Sequence, residues 1–413
     1  MKRLNLEKSK KLFKEGSELV PGSVLGVRRP YNFIVDEYPI FLDSAKGCRI
    51  TDVDGNTFID MLAAYGPIII GYREKEIDDA VIKQLRDKGF CMALTQDTQN
   101  QLVSKLKKLI PSCEKAVIVK TGSDASTLAI RIARAYTKKN KILRCGYHGW
   151  HDWCVEDKGG IPKSAYQEVI EFEYNNLDIL EDLLISNSGE VAAIIIQPIF
   201  TPLVKEVQMP NNKYLNSLKE LSRKHNCLLI FDEIRSGFRV NIGGAQKEFN
   251  VIPDITLLGK AMANGYPISA VVGKKEVMNM VAHKVFVSST YFPNSIEQIA
   301  ALKTIEILER ENVLEDIRKK GKIFSERIKE IIKKSNINCK FSGAPWMPFI
   351  SFNEEKETTN RKMRNLFYTN LIRLGIFLSP FHHGYIMFRH TKENLNEISN
   401  CIEESLFFLN KNL

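Results

Sequence analysis

The chain has 413 residues, 44% of them hydrophobic and 26% charged, proportions that exclude a disordered or fibrous chain and exceed what one hydrophobic core usually organises. Lys and Arg number 59 against 49 acidic residues, a net charge of +10, but groups such as Lys8, Lys10, Lys11 and Lys14 sit at helical spacings as solvated faces do, so no nucleic-acid or membrane partner is expected. The eight cysteines form no CxxC pair, the first residues have no apolar signal core and no run reaches membrane-spanning length, which together imply reduced thiols in a cytoplasmic protein.

In chain order, Leu6, Leu12, Phe13 and Leu19 predict a short opening helix that Pro21-Gly22 stops. From Phe41 to Met61 the pattern changes to strands, with a hairpin turn at Asp52-Val53-Asp54-Gly55-Asn56. From about 116 to 275, apolar runs at 116–120, 141–145, 191–197, 227–233, 254–259 and 268–273 alternate with helical patterns. That alternation predicts an α/β fold with a mostly parallel sheet covered on both faces. After the first run, Ala125, Leu128, Ala129, Ile132, Ala133 and Tyr136 mark one helix face. Beyond about 296 the chain becomes helical and rich in Lys and Glu, then gives further strand candidates at 349–352, 375–380 and 384–388. The organisation expected is 1–60 as an N-terminal helix and hairpin of a small domain, 61–300 as a large domain, and 301–413 as the C-terminal part of the small domain.

Ligands of open α/β sheets gather at the carboxyl ends of the strands, and three such ends carry chemistry. After 116–120 comes Thr121-Gly122-Ser123-Asp124, a small-residue turn opening onto a helix, where exposed N–H groups and the Ser123 hydroxyl suit a phosphate; Ser123 is equally compatible with simply capping the helix. After 227–231 comes Asp232, a carboxylate leaving a strand buried on both faces; it needs a cation, which a protonated pyridine nitrogen, a helix start or a salt bridge would each supply. After 254–259 comes Lys260, an amine whose desolvation makes it a nucleophile toward an aldehyde. An anion seat, a counter-charge and an amine in this order are what one phosphorylated pyridine aldehyde requires. Tyr147-His148-Gly149-Trp150-His151 contains an HxxH pair, but no third ligand is spaced with it, so no metal is expected.

These residues resemble the class III (fold type I) aminotransferases, and within them the glutamate-1-semialdehyde 2,1-aminomutase-like subgroup, nearly end to end. The similarity is carried by Leu19 to Arg28, DVDGNTFID, YGP at 65–67, TGSDAS, YHGWHDW, LLIFDEIRSGFRV, LLGKAMANGYP and STYFPNS. The resemblance implies pyridoxal 5'-phosphate (PLP) as cofactor, with Lys260, Asp232 and Tyr147 catalytic. Lys260 would carry the cofactor aldehyde, Asp232 would bond the pyridine nitrogen, and Tyr147 and Ile234 would pack on the two ring faces. Gly122, Ser123 and Asp124 would line the phosphate, and Thr290 would reach the phosphate of a neighbouring subunit. A homodimer with shared active sites follows.

The activity implied is transfer of an amino group from a donor amine or amino acid to a small aldehyde or keto acceptor, through Lys260 and pyridoxamine phosphate. The alternatives are a 2,1-aminomutase and, from another class, a non-enzymatic basic protein on the same scaffold. Departures from the aminomutases mark the substrate side. Phe381-His382-His383-Gly384 stands where they have Phe-Glu-Ala-Gly, Tyr65 replaces a tryptophan, Arg389 replaces a small residue and Gln197-Pro198 replaces Glu-Pro. Arg28, Tyr65, His382, His383 and Arg389 are therefore the candidate substrate residues, the arginines for a carboxylate.

Overall fold

Val, Ile and Leu fill the runs read as strands between 116 and 273, and those runs become one seven-stranded sheet in the computed structural model, which describes residues 3–203, 205–211 and 213–412. In spatial order the strands are Lys115–Val119, Ser269–Gly273, Ile255–Leu258, Leu228–Asp232, Val191–Ile196, Lys141–Cys145 and Val169–Glu171. All run parallel except Ser269–Gly273, which is antiparallel to both neighbours. Successive residues point to opposite faces, and both faces are apolar. Ile142, Ile195, Ile230 and Leu257 pack with Ala125, Leu128, Ala129, Ile132 and Ala133 of the helix Gly122–Thr137. Leu143, Ile194, Ile196, Leu229 and Phe231 pack with Leu180, Leu184, Leu215 and Leu218 of two helices on the other side. Truncating one of these fully buried isoleucines to Ala would cost about 2–5 kcal/mol.

This sheet belongs to a unit formed by Lys75–Pro202 and Gln208–Leu314. Its parallel register brings the ends of the strands at 119, 145, 196, 232 and 258 to one edge, the edge where ligands of such sheets bind.

A second unit comprises Met1–Glu74, Leu203–Val207 and Glu315–Leu413. The divisions expected after residues 60 and 300 thus come after 74 and 314. Segment 61–74 stays with this unit because its carbonyls take amides from the C-terminal segment: Tyr385 N–H to Met61 O (2.7 Å), Phe388 N–H to Ile69 O (2.9 Å) and Arg389 N–H to Ile70 O (2.9 Å). The same bonding explains why 384–388 is not the strand its apolar run implies. Its amides pair singly with several segments, Gly384 with Pro348 and Ile386 with Trp346 among them, instead of with one neighbour.

The hairpin turn is as expected, with Gly55 at φ +88° between the strands Arg49–Asp52 and Thr57–Asp60. Asp54 in that turn caps the helix Glu7–Ser17, accepting from the N–H groups of Lys8 (2.7 Å) and Ser9 (2.9 Å). The eight cysteines are free thiols. Among the described residues no helix is long and apolar enough to cross a membrane.

Candidate active site

Lys260 follows the strand Ile255–Leu258 through Gly259, where a Cβ would come 2.7 Å from Ser269 Oγ and 3.1 Å from Ile234 Cδ1, so only glycine fits. Lys260 itself sits at φ +43°, in the left-handed region that costs a non-glycine residue about 1–2 kcal/mol. The buried Ala261, Met262 and Ala263 hold it there. Burial pushes the Lys260 ammonium well below its ordinary value; Arg235 adds to the effect, Asp232 opposes it and Arg239 adds again. The shift is toward the neutral form, the form of an amine that attacks an aldehyde.

Asp232 closes the strand Leu228–Asp232 and is buried. Its Oδ1 accepts the Ile234 N–H at 3.1 Å, and its Oδ2 lies 2.7 Å from His148 Nδ1. A carboxylate oxygen accepts, so Nδ1 is the donor of this bond, while the buried Nε2 has no partner among the described residues. His148 is fixed by a bond from Ser126 Oγ to its carbonyl (2.6 Å) and by the parallel Trp153 ring. The HxxH pair diverges: His151 Nδ1 bonds Thr127 Oγ1 at 2.8 Å, while His148 turns to Asp232.

At the start of the helix Gly122–Thr137, Thr121 and Asp124 form a capping box. The Asp124 carboxylate accepts from Thr121 N–H (2.8 Å) and Oγ1 (2.7 Å), which changes its reading: it organises the turn, while the Gly122 and Ser123 amides are the ones that the helix geometry leaves for an anion. Gly149, at φ +118°, lets the 146–150 loop lie against this turn, since a Cβ there would come 2.4 Å from Ser123 Oγ. Ser123 Oγ also accepts the Trp150 N–H at 3.2 Å. A Cβ on Gly122 would lie 3.3 Å from Ile234, so Ile234 is lodged between Gly122 and Gly259.

Tyr147 is half exposed, its phenol raised by burial, and its ring carries the Arg235 guanidinium at 5.6 Å. Its carbonyl accepts from Gln197 Nε2 at 2.9 Å. Thr290 is exposed in the turn before the helix Ser295–Arg310. His148 and Arg235 escaped the sequence reading.

The remaining candidates belong to the other unit. Arg28 is exposed in the short turn Gly26–Arg28. Tyr65 lies in a left-handed turn, with φ +50° at Ala63, +53° at Ala64, +67° at Tyr65 and +99° at Gly66, where a Cβ would strike the Tyr385 ring at 2.6 Å. The Tyr65 hydroxyl donates to Val27 O at 3.1 Å, and its phenol is pushed up to about 12 by burial. Its ring meets the buried His382 edge-on; His382 stacks on His383 at 4.2 Å, and His383 Nε2 bonds the Tyr385 hydroxyl at 2.8 Å. Arg389 departs from the carboxylate-holding role: it grips Glu74 with Nε (3.0 Å) and Nη2 (2.7 Å) and packs over Gly71, where a Cβ would come within 2.5 Å.

The strand-end set fits PLP. A buried amine whose charged form is disfavoured suits an aldehyde, a carboxylate fixed by two bonds suits a pyridinium, and the Gly122 turn leaves room and amides for a phosphate.

Comparison with known proteins agrees. The family model "Aminotransferase class-III" matches residues 31–406. A 3-aminobutyryl-CoA aminotransferase of Cloacimonas acidaminovorans (strain Evry) is 56% identical over 411 residues, covering 100% of this chain and 99% of that protein. A glutamate-1-semialdehyde 2,1-aminomutase of Sulfurisphaera tokodaii is 33% identical, covering 94% of this chain and 97% of that protein. Among solved structures, the FumI protein of Sphingopyxis sp. MTA144 in a PLP form superposes with a TM-score of 0.93 at 25% identity, covering 98% of this chain and 97% of that one. With fold, family model and full-length relatives in agreement, the chain belongs to the class-III aminotransferases, enzymes that use pyridoxal phosphate.

Proposed function

We propose that this aminotransferase exchanges the amino group of a short 3-aminoacyl thioester of the 3-aminobutyryl-CoA type with a 2-oxo acid, using Lys260 as its working amine. The observation that carries the catalytic part is the Lys260 amine at the end of the strand Ile255–Leu258, its charge disfavoured by burial and coupled to Asp232, which His148 braces. The substrate class is supported by the 56% identity, over the full length, to the Cloacimonas enzyme.

When bound, PLP supplies an aldehyde for amines and a ring that takes up the electron pair left at the substrate carbon. Lys260 Nζ would hold that aldehyde, and as a free amine it would serve as the base that moves a proton at the substrate carbon bearing the nitrogen. Asp232, held by His148 and the Ile234 N–H, keeps a proton on the pyridine nitrogen. Gly122 and Ser123 would hold the phosphate, and Ile234 and Tyr147 would pack against the ring. By the family resemblance, Arg28, Tyr65, His382 and His383 of the other unit are the candidates for substrate contact.

A homodimer in which Thr290 serves the partner is supported by exposed apolar side chains around it. Met92, Leu94, Phe286 and Tyr291 lie on two segments tied by Ser295 N–H to Phe90 O at 3.3 Å. Eight free thiols suit a cytoplasmic setting.

The 33% identical aminomutases favour a second reading, a 2,1-amino shift on a semialdehyde. Product analysis separates the two. Conversion of 3-aminobutyryl-CoA to 3-oxobutyryl-CoA that depends on a 2-oxo acid acceptor is the expected result. A shifted amine formed from glutamate 1-semialdehyde with no donor, and no reaction of the thioester, would establish the aminomutase instead.

A further inference from the structure

Largely buried arginines of this protein end on carboxylates, Arg144 on Glu171 and Arg373 on Glu37 at 2.5 Å, and so does the half-exposed Arg389, on Glu74 at 2.7 Å. Arg235, three residues beyond Asp232, meets none among the described residues. Its Nη1 is anchored by the carbonyl (2.9 Å) and the hydroxyl of Thr201, and its guanidinium lies over the Tyr147 ring. Nε and Nη2 have no protein acceptor among the described residues, so two donors of a planar fork are held ready by a third. Arg235 is also the leading charge acting on Lys260, which puts the guanidinium within electrostatic reach of anything bound to that amine.

The anchor has a direction. Thr201 Oγ1 accepts from Arg235 and donates to Gln197 Oε1 at 3.3 Å, while Gln197 Nε2 donates to Tyr147 O at 2.9 Å. Thr201 and Gln197 are both more than nine-tenths buried. A glutamate at 197, the usual residue in the resembling family, could not donate to the Tyr147 carbonyl, and it would set a negative charge one hydroxyl away from the guanidinium. Glutamine keeps the chain of bonds intact and leaves the cation uncompensated.

We propose that Arg235 is a carboxylate clamp: it binds the carboxylate of the amino acid or 2-oxo acid that exchanges the amino group, and Gln197 keeps it available by being neutral. A 3-aminoacyl thioester has no carboxylate, so one site serves two unlike substrates by engaging Arg235 with only one of them. The proposal rests on Lys260 being the amine on which both substrates react.

The test uses PLP-loaded enzyme and follows the visible absorbance in single turnovers with glutamate or alanine, with 3-aminobutyryl-CoA, and with 2-aminobutane, an amine lacking both carboxylate and thioester. In Arg235→Gln the amino-acid reaction should fall roughly 100-fold further in kcat/KM than the thioester and 2-aminobutane reactions, the scale of a lost charge-assisted pair of hydrogen bonds, while any loss shared by all three reports the guanidinium's effect on Lys260. Arg235→Lys should recover about tenfold of the loss, and Gln197→Glu should weaken the amino-acid reaction in the same selective way. Calorimetry with glutarate and propionate, which cannot react, should show binding to wild type and its loss in Arg235→Gln. Equal slowing of all reactions, or an unchanged amino-acid reaction, overturns the clamp. Wild-type enzyme that reacts with amino acids but not the thioester refutes the substrate reading alone, since 2-aminobutane still supplies the control. Wild type inert to every amine sinks the Lys260 reading, and the calorimetric comparison then decides Arg235 by itself.

Discussion

Each unit buries an aspartate close to a histidine, Asp232 with His148 at the sheet edge and Asp60 with His390 behind the left-handed turn, and the two pairs are wired differently. Asp60 accepts from Leu62 N–H (2.7 Å), Ala63 N–H (3.0 Å) and the Tyr72 hydroxyl (2.7 Å). His390 bonds the Asp60 carbonyl instead of the carboxylate, and its Nδ1 accepts the Met387 N–H at 2.9 Å. Asp60 therefore spends three acceptor positions, two of them on the backbone of a turn whose four consecutive positive φ angles are costly. Asp232 accepts only two bonds, from Ile234 and His148, and keeps lone pairs for an outside cation. A buried carboxylate spent on the backbone of the turn it fixes is architecture; one left with capacity at a strand end is chemistry.

The strongest way to break this contrast lies on the chemical side. Lys260→Ala should reduce turnover by roughly 10⁴-fold or more while the far-UV circular dichroism and melting temperature stay native-like. Retained turnover in a folded variant would falsify the assignment of the amine.

His148→Phe tests whether the brace matters. It preserves an aromatic ring against Trp153 but deletes the bond to Asp232, and one charge-assisted hydrogen bond corresponds to roughly a 10–100-fold loss in kcat/KM. PLP affinity, measured by equilibrium dialysis, should weaken as well, and His148→Gln, which can still donate, should restore part of both. A loss in activity without any change in PLP affinity, unrelieved by Gln, would mean that His148 merely fills space.

On the architectural side the effect is on stability, and its sign follows from the wiring. Burial raises the Asp60 carboxyl from 3.8 to about 6, so the folded state holds its proton more tightly than the unfolded state. The stability this contributes is complete below pH 3.8 and is lost as pH rises through about 6, up to about 3 kcal/mol over that window. His390, pushed down to about 3 by burial, acts in reverse: its contribution is complete above pH 6.5 and is lost as pH falls toward 3. The two slopes oppose one another between pH 4 and 6. Urea unfolding of Asp60→Asn should therefore show stability climbing more steeply with pH in that window than in wild type. Parallel curves would mean that Asp60 titrates alike folded and unfolded.

What could be read from sequence follows the same divide. Lys260, Asp232 and Ser123 are legible as candidates because each ends or closely follows an apolar strand, and those strand ends share one edge. The capping box was legible too, since Thr121 and Asp124 have its spacing, although Asp124 was assigned to the phosphate instead. His148 was hidden because its partner is 84 residues away and the HxxH spacing suggested the wrong question. Arg235 was hidden because its meaning is a missing carboxylate, which no local pattern encodes. In the other unit the irregular segment 380–390 has no period to read, and its partners are backbone groups and Glu74, brought together only by the fold.

Arg389 gives the finest test, because it is one of the two arginines that sequence offers for a carboxylate, and in the structure it is paired with Glu74. Its side chain is nearly half exposed while Glu74 is largely buried, so solvent discounts the pair and Arg389→Ala should cost about 1 kcal/mol of stability. More telling is what it should leave alone. If Glu74 is its whole purpose, the ratio of the amino-acid to the thioester reaction stays within about twofold of wild type, against the roughly 100-fold change expected of Arg235→Gln. A selective collapse of the amino-acid reaction in Arg389→Ala, with Arg235→Gln unaffected, would exchange the roles of the two arginines and make the Glu74 pair a resting state that a carboxylate substrate displaces.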